Sequence, residues 1–237
     1  SALGQPVMVQ TACMPCEDAM VYSINSRLLS SGKASVRLSL PYPSGKHADA
    51  ATDWGNEDKH VSRIIKSTGK SALVEHIIDS TRYFVLVQWE GAAKLVHESA
   101  HSYALIPNGK ALNVRVEYKE IQPEMQRFSF AKSVIEVQKY WNSWWETGAF
   151  VDFGDCKDVR AKELERRTVL SQYLTFINCA NETPAQETGL TYNSWFGRPH
   201  LEMTWWHTID FSLWNRPEVL ETMLEWYNDK AYPEAKK

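Results

Sequence analysis

The sequence predicts a β-then-α fold, with an N-terminal antiparallel β-sandwich, a linker helix and then helical hairpins. In the first 120 residues, apolar and polar side chains alternate over short segments separated by turn residues, which is typical of half-buried strands. After Pro123 apolar residues recur every three to four positions, the period of an amphipathic helix. No helix-length pattern interrupts the first part, so its strands are expected to pair antiparallel and form a sandwich.

Length and composition limit the classes of protein to consider. The chain has 237 residues, a net charge of −3 and ten tryptophans, eight of them between Trp141 and Trp226. This length suggests one or two domains with a full core. The weakly acidic balance argues against a nucleic-acid-binding protein, which would need a basic face. No apolar run reaches 18 residues, and no basic start precedes an apolar stretch, so we expect neither a membrane span nor a signal peptide in this chain.

Three segments carry the strand signal most clearly, and turn residues separate them. Residues 36–40 and 112–118 alternate, whereas residues 83–89 are rich in β-branched and aromatic side chains. A long polar loop covers about residues 41–60. Loops of this kind often reach over a neighbouring site, although a simple solvated loop fits the same composition.

The second half of the sequence predicts several helices, whose ends are marked by residues typical of helix starts and stops. Phe130, Val134, Val137, Trp141 and Trp144 lie on one face of a helix of about 18 residues that ends near Gly148. A short strand is expected at 150–153. The further helices are expected at about 158–180, with Asp158 as the N-cap, at 201–214, and from Pro217 at a first helical position to about 229. The expected domains are a sandwich at 1–122, a linker helix and short strand at 123–157, and helices at 158–237.

The cysteines leave three interpretations open. Cys13 and Cys16 form a C-x-x-C motif, but no second cysteine pair follows at zinc spacing. They are two ordinary small residues near a strand end, a disulfide, or a redox pair. A thioredoxin-like site would require a βαβ context, which is absent from this part of the sequence.

Residues 190–210 are the densest mixture of aromatic, charged and imidazole groups. Aromatic rings stack on the flat apolar faces of sugars, while carboxylates, guanidinium and imidazole groups bond the hydroxyls. Glu202, Trp206 and Asp210 follow each other at helical spacing, with His200 and His207 close beside them. We interpret this face as functional. The alternative is a polar network in the core, whose burial would be costly without hydrogen-bond partners.

Other kinds of chemistry lack their motifs. His200, His207 and Glu202 do not form H-E-x-x-H, and no further ligand is evident near them, so no metal is expected. A G-x-S-x-G nucleophile elbow and a glycine-rich phosphate loop are also missing from the sequence. No cofactor is expected.

The longer motifs resemble those of a known enzyme family. Tyr140-Trp141-x-x-Trp144, Gly148, Val151-Asp152 and Gly154-Asp155 resemble the sandwich-to-barrel junction of six-hairpin glycosidases related to the maltose and kojibiose phosphorylase family. The segment 205–211 resembles the barrel segment of that family, and Pro217-Glu218 opens the next helix. His207 is the departure, because the family has a sugar-contacting Asp there. Residues 161–174, 186–190 and 195–207 resemble an uncharacterised bacterial branch of such enzymes, so the similarity covers most of the chain from about residue 30.

This resemblance implies the fold and the role of the chain. Its sandwich would be of the super-sandwich type, and its helices would be the first of an (α/α)6 toroid of twelve, of which the chain supplies about three. The remainder of the barrel, in the same or another chain, and an oligosaccharide are then the expected partners, with no nucleic acid and no membrane span. A periplasmic or other extracytoplasmic location is expected, with the cytoplasm as the alternative.

The resemblance also implies hydrolysis of glycosidic bonds by acid/base catalysis with inversion. Glu202 and Asp210 are the candidate carboxylates, with Glu202 favoured as a hydroxyl ligand over the general acid. The alternatives are a disaccharide phosphorylase, a non-catalytic carbohydrate-binding protein and a structural adaptor. The candidate substrate-binding residues are Trp195, Phe196, Arg198, His200, Trp205, Trp206 and His207.

Overall fold

An antiparallel sheet-rich region comes first and helices follow it, which confirms the predicted β-then-α order. The structure is a computed structural model that describes residues 3–237. The chain folds into two compact units. The first unit comprises the chain up to residue 42 together with residues 53–142, and the second comprises residues 43–52 and 143–237. The loop at 43–52 therefore belongs to the mostly helical unit.

Eleven strands precede the long helices. They are β1 (Met8–Cys13), β2 (Ala19–Asn25), β3 (Val36–Ser39), β4 (Tyr42–Pro43), β5 (Thr52–Asp53), β6 (His60–Ser67), β7 (Ser71–Ile78), β8 (Thr81–Glu90), β9 (Ala93–Ser99), β10 (Ser102–Pro107) and β11 (Ala111–Lys119). A six-stranded sheet has the order β1-β2-β11-β8-β7-β6, and a three-stranded sheet has the order β3-β10-β9. The strand pairs of both sheets are antiparallel. The three strands that the sequence predicted, at 36–40, 83–89 and 112–118, are confirmed as β3, β8 and β11.

The main core lies between the two sheets of the first unit. Val85 and Val87 of β8 face the same hydrophobic cluster as Tyr103 and Leu105 of β10. The alternate residues of β8 are also buried, and Leu86 packs in a separate cluster on the other face of the sheet. Because successive strand residues point to opposite faces, β8 is buried on both sides. This explains its nearly continuous apolar sequence.

The described residues also form six α-helices, the first between β2 and β3 and the other five after the strands. They are α1 (Arg27–Ser30), α2 (Phe130–Thr147), α3 (Ala161–Cys179), α4 (Leu201–Leu213), α5 (Pro217–Trp226) and α6 (Tyr232–Ala235). The predicted 18-residue helix is confirmed as α2, whose Phe130 and Val137 pack against Met14 and Val21 of the first unit. The helix predicted at 201–214 is confirmed as α4, and Pro217 does open α5.

Three local predictions are wrong. Residues 150–153, all of which the structure describes, have no regular secondary structure, and the Phe153 amide donates to the Glu165 carboxylate instead of to a strand. Asp158 is not the N-cap of α3, because its carboxylate accepts from the amide of Arg160 in the turn before the helix. The last helical segment also runs further than residue 229, since a five-residue π-helical turn at Tyr227–Ala231 joins α5 to α6.

The second unit has a small aromatic core. The rings of Trp144, Phe176 and Phe211 form a chain with centroid distances of 5.2 and 6.0 Å. Beside them the buried guanidinium of Arg216 lies 3.6 Å from the centre of a Trp144 ring and donates to the Trp144 carbonyl. The apolar residues along α3, by contrast, are partly exposed, with Leu164 at 54% and Leu174 at 43%.

Two further findings bear on the class of protein. Within residues 3–237, no helix combines the length and apolar character needed to cross a membrane. All four cysteines, including Cys13 and Cys16, have free thiols.

Candidate functional site

Within the aromatic segment singled out from the sequence, residues Trp195–Gly197 form a left-handed turn, which we call the aromatic turn. Trp195 and Phe196 have φ angles of 48° and 60°, and Gly197 has 70°. Only glycine adopts this region without steric cost, whereas each side-chain-bearing residue there costs on the order of 1–2 kcal/mol. Two consecutive aromatic residues in this conformation are therefore strained, and strain of this kind is found mainly at functional sites.

The loop at 43–52 holds the aromatic turn in place. The amide of Phe196 donates to the carbonyl of His47 at 3.1 Å, and Asp49 and Asn193 form an antiparallel β-bridge. The side-chain amide of Asn193 also donates to the Asp49 carboxylate at 3.2 Å. The hydroxyl of Ser44, which donates to Asp49 at 2.9 Å, is the main cause of a lowered pKa for Asp49. The carboxylate therefore stays ionised and keeps the loop attached to the turn.

Four side chains converge at the aromatic turn. The imidazole of His47 meets the rings of Trp195 and Phe196 edge-on, with centroid distances of 4.6 and 5.3 Å. The Arg198 guanidinium lies 5.9 Å from the Phe196 ring centre. Trp195 and Phe196 remain 47% and 54% exposed. The turn thus presents two accessible aromatic faces next to an imidazole and a guanidinium.

The first residues of α4 extend this group. His200 is the N-cap residue of α4, and its ring centroid lies 5.9 Å from that of Trp195. Glu202 is exposed in the first turn of the helix. Trp205 and Trp206 are 61% and 62% exposed. A helix repeats every 3.6 residues, so Glu202 and these two tryptophans lie on the solvent-exposed side of α4.

His207 lies on the opposite, buried side of α4. Its Nε2 bonds to the carbonyl of Glu187 at 3.0 Å. Burial lowers its pKa, and nearby His200 adds to this effect, so the neutral imidazole is favoured. The structure therefore places His207 away from Glu202, Trp205 and Trp206, where it connects α4 to the preceding loop.

Two imidazole nitrogens near the turn are buried without a partner. The Nδ1 atoms of His200 and His207 have no hydrogen-bond partner among the described residues. A buried polar atom without a partner costs about 1–3 kcal/mol. Such atoms are retained where a ligand or water completes their bonding.

The two candidate carboxylates start from positions far apart along α4. Glu202 and the half-buried Asp210 are eight residues apart on α4, which separates their Cα atoms by about 12 Å along the axis. Inverting glycosidases place their two carboxyl groups roughly 6.5–9.5 Å apart. If either residue is catalytic, its partner carboxylate comes from outside α4.

Sequence reasoning missed the residues that build the turn. His47 and Asp49 were noticed only as part of a polar loop, and Gln186, whose side-chain oxygen accepts from the amide of Ser194 at 2.9 Å, was not singled out. The only available signal was the length and polarity of the loop, which does not indicate its contact partner.

Comparison with known proteins adds no assignment. No protein-family model matches the chain, and no curated protein sequence is significantly similar to it.

Proposed function

We propose that this chain is part of a glycoside hydrolase and that the aromatic turn with the start of α4 binds an oligosaccharide. The observation that carries the proposal is the presence of two exposed, strained aromatic residues, Trp195 and Phe196, beside His47 and Arg198. Exposed rings supply stacking surface for a pyranose, and the imidazole and guanidinium supply donors for its hydroxyls.

The backbone strain supports a binding role rather than a packing role. A packed aromatic residue can be placed by an ordinary backbone, but at the aromatic turn the rings of Trp195 and Phe196 are both exposed. The contacts of loop 43–52 offset the strain and leave the ring faces open. A site held in its binding shape before the ligand arrives loses less conformational entropy on binding.

Polar groups around the rings give the site its hydrogen-bonding capacity. The unpartnered Nδ1 of His200 and the exposed carboxylate of Glu202 lie at the start of α4. We assign Arg198, His200 and Glu202 to sugar hydroxyls and Trp195, Phe196, Trp205 and Trp206 to stacking. His207 would act indirectly, by positioning α4 against the preceding loop through its bond to the Glu187 carbonyl.

The finer fold is part of the proposal. The sheets would be a super-sandwich, and α3 to α5 would begin an (α/α)6 barrel whose remainder is contributed by the same or another chain. The exposed apolar side chains of α3, such as Leu164 and Leu174, are the surface that further barrel helices would cover. An extracytoplasmic location fits an enzyme that acts on oligosaccharides.

The chemistry proposed is acid/base cleavage of a glycosidic bond with inversion. One carboxylic acid protonates the leaving oxygen, and a second carboxylate activates water on the opposite face of the sugar. Asp210 is the remaining candidate within the chain for one of these roles. The other carboxylate must come from outside α4, given the separation of Glu202 and Asp210.

Sugar binding is tested by calorimetric titration with a panel of gluco-oligosaccharides. Trp195→Ala is expected to weaken binding about tenfold or more, since loss of one stacked ring costs on the order of 1.5 kcal/mol. Trp54→Ala is the matched control, because Trp54 is 61% exposed and lies outside this unit. Equal binding by the two variants, or no binding by the unmodified chain, contradicts the proposal.

Catalysis is tested by release of reducing sugar from the same panel, with and without inorganic phosphate. Glu202→Gln is compared with Glu225→Gln, an exposed glutamate on α5. Loss of activity in the Glu202 variant alone supports a role in the site. Turnover that requires phosphate identifies a phosphorylase. Sugar binding without turnover favours a non-catalytic carbohydrate-binding protein. If the chain neither binds nor cleaves the oligosaccharides, the structural-adaptor alternative remains.

A further inference from the structure

Three buried histidines meet in the core of the first unit, and none of them belongs to the candidate site in the second unit. His60 and His101 are 6% exposed and His76 is fully buried. One nitrogen from each ring lies within 4.8 Å of the others. His60 and His101 stack at a centroid distance of 3.6 Å. We name these residues the histidine cluster.

The strand register explains why they meet. Ser62 lies directly opposite His76 in the β6–β7 ladder, and His60 is two residues before Ser62, on the same face of the sheet. His76 continues the row of Ala72 and Val74, which face the main core. The cluster therefore lies on the face of the six-stranded sheet that meets the three-stranded sheet.

The third member comes from the other sheet. His101 lies in the turn between β9 and β10 of the three-stranded sheet. Its Nδ1 is 2.8 Å from the Ser62 hydroxyl, and its Nε2 is 2.8 Å from the carbonyl of Glu57. The two sheets are thus connected by polar groups at a place where the rest of their interface is apolar.

We propose that the histidine cluster binds a divalent transition-metal ion of the zinc type, with three imidazole ligands and one further position for water. Neutral imidazole suits zinc, copper and nickel ions, and three histidines with a fourth open position form an established zinc coordination set. The ion would link the two sheets of the first unit. This inference does not depend on the carbohydrate proposal, because it concerns the other unit of the chain.

The nitrogen spacing fits such an ion. His60 Nδ1 and His76 Nε2 are 3.2 Å apart, and two ligands at zinc–nitrogen distances of 2.0–2.1 Å in a tetrahedron are separated by about 3.3 Å. The third nitrogen lies within 4.8 Å of the others. To complete the set, the His101 ring would have to move by up to about 1.5 Å. It would also have to turn out of its stack with His60, because the lone pair of each imidazole lies in its ring plane and both must point at the ion.

Two of the three imidazoles also have a hydrogen-bond partner for the nitrogen that would not bind the metal. A carbonyl only accepts, so His101 Nε2 donates to the Glu57 carbonyl and its Nδ1 carries the lone pair that binds the metal. Likewise, His76 Nδ1 lies 2.7 Å from Ser62 Oγ, which leaves Nε2 for the metal. Histidine ligands in metal sites almost always donate their second nitrogen to such a partner.

Without metal, the Ser62 hydroxyl is placed to accept from His76 Nδ1 and to donate to His101 Nδ1. Metal binding at His101 Nδ1 would use that lone pair, so the Ser62 proton would turn away from His101 while Ser62 Oγ continues to accept from His76.

The proposal is tested by titrating the full chain with Co²⁺, whose visible absorption reports tetrahedral nitrogen coordination, and then displacing it with Zn²⁺. The unmodified chain is expected to bind one ion per chain and to melt at a higher temperature with Zn²⁺ present. His76→Gln and His101→Gln are expected to abolish the absorption. His97→Gln, which changes an exposed histidine on β9, is the matched control and is expected to behave like the unmodified chain.

Ser62→Ala removes a hydroxyl that contacts His76 and His101 but keeps all three proposed ligands. It is expected to weaken Co²⁺ binding about 10–100-fold. The proposal is overturned if the unmodified chain gives neither the absorption nor a higher melting temperature, in which case the histidines form a metal-free hydrogen-bonded cluster. It is equally overturned if His76→Gln binds as the unmodified chain does. Because the first measurement uses the unmodified chain, a variant that fails to fold does not decide the outcome.

Discussion

The two units of the chain differ in how they bury apolar surface. The first unit buries the central strands β7 and β8 on both faces and fills the space between two sheets. In the second unit, the buried apolar residues within the described chain are Trp144, Ala161, Phe211 and Met223, of which only the last two are fully buried. Large apolar side chains such as Leu201 and Leu213 are instead 73% and 76% exposed.

The two units therefore place their apolar residues differently. Burial of one large apolar side chain contributes about 1.5–3 kcal/mol, so the first unit has an ample source of stability within itself. Large, contiguous apolar surface on a soluble chain marks an interaction site. Under the proposed function, the exposed apolar side chains of the second unit would be covered by further barrel helices.

The largest expected effect compares one leucine from each unit. Leu105→Ala removes a side chain that is 2% exposed in the main core, and it is expected to destabilise the chain by about 2–5 kcal/mol. Leu174→Ala, at 43% exposure on α3, is expected to change stability by no more than about 0.5 kcal/mol. Urea unfolding of the two variants measures the difference. A similar loss in both would mean that α3 is covered in solution and would end the contrast between the units.

A smaller effect is expected from Gly148→Ala in the second unit. A Cβ atom at Gly148 would overlap the buried guanidinium of Arg216, which contacts Trp144. Displacing this group is expected to cost about 1–3 kcal/mol. Gly109→Ala is the control, since nothing lies near its Cβ position. Thermal unfolding of both variants measures the effect, and equal melting temperatures would show that Arg216 does not hold this unit together.

A pH-dependent effect is expected at His207. Burial lowers its pKa in the folded chain below the ordinary value, so the unfolded chain takes up the proton first as the pH falls. The stabilising contribution of the neutral imidazole is therefore complete above about pH 6.5 and is lost as the pH falls through the folded pKa. Protection factors of α4 amides in hydrogen exchange at pH 7.5 and 5.5 measure it, because they correct for the slower intrinsic exchange at lower pH. The loss of protection at pH 5.5 should be smaller in His207→Gln, and an equal loss in both proteins would assign the effect to another group.

The smallest effect concerns thiol reactivity in the second unit. Burial raises the pKa of Cys179, and the thiolate is the reactive form. Alkylation by iodoacetamide near pH 8 is therefore expected to be slower at Cys179 than at the exposed Cys156, as followed by peptide mass spectrometry. Faster reaction at Cys179 would show that the end of α3 opens more readily than its burial suggests.

Local patterns in the sequence predicted the elements whose signals are local. The period of apolar residues was sufficient for α2 and α4, and Pro217 marked the start of α5. The pattern of Phe150 to Phe153 also suggested a strand, but a strand requires a partner, and this segment bonds to Glu165 of α3 instead. Alternation alone does not reveal whether a pairing strand exists.

The parts that could not be predicted depend on contacts between distant residues. His60, His76 and His101 come from two strands and a turn, and no spacing rule links them. Loop 43–52 was noticed for its polarity, yet its contact with Asn193 follows only from the folded chain. The division of α4 into an exposed Glu202 side and a buried His207 side likewise depends on which elements surround the helix.

The attachment of loop 43–52 to the aromatic turn has a consequence for synthesis and for dissection of the chain. Asp49 and Asn193 are separated by 144 residues, so at about 5–20 residues per second the loop waits on the order of 10 s on the ribosome for its partner. A fragment that starts at residue 143 would lack the loop altogether. The strained backbone of Trp195 and Phe196 would then lose the contacts that offset its strain, so such a fragment would report on a different turn from the one in the intact chain.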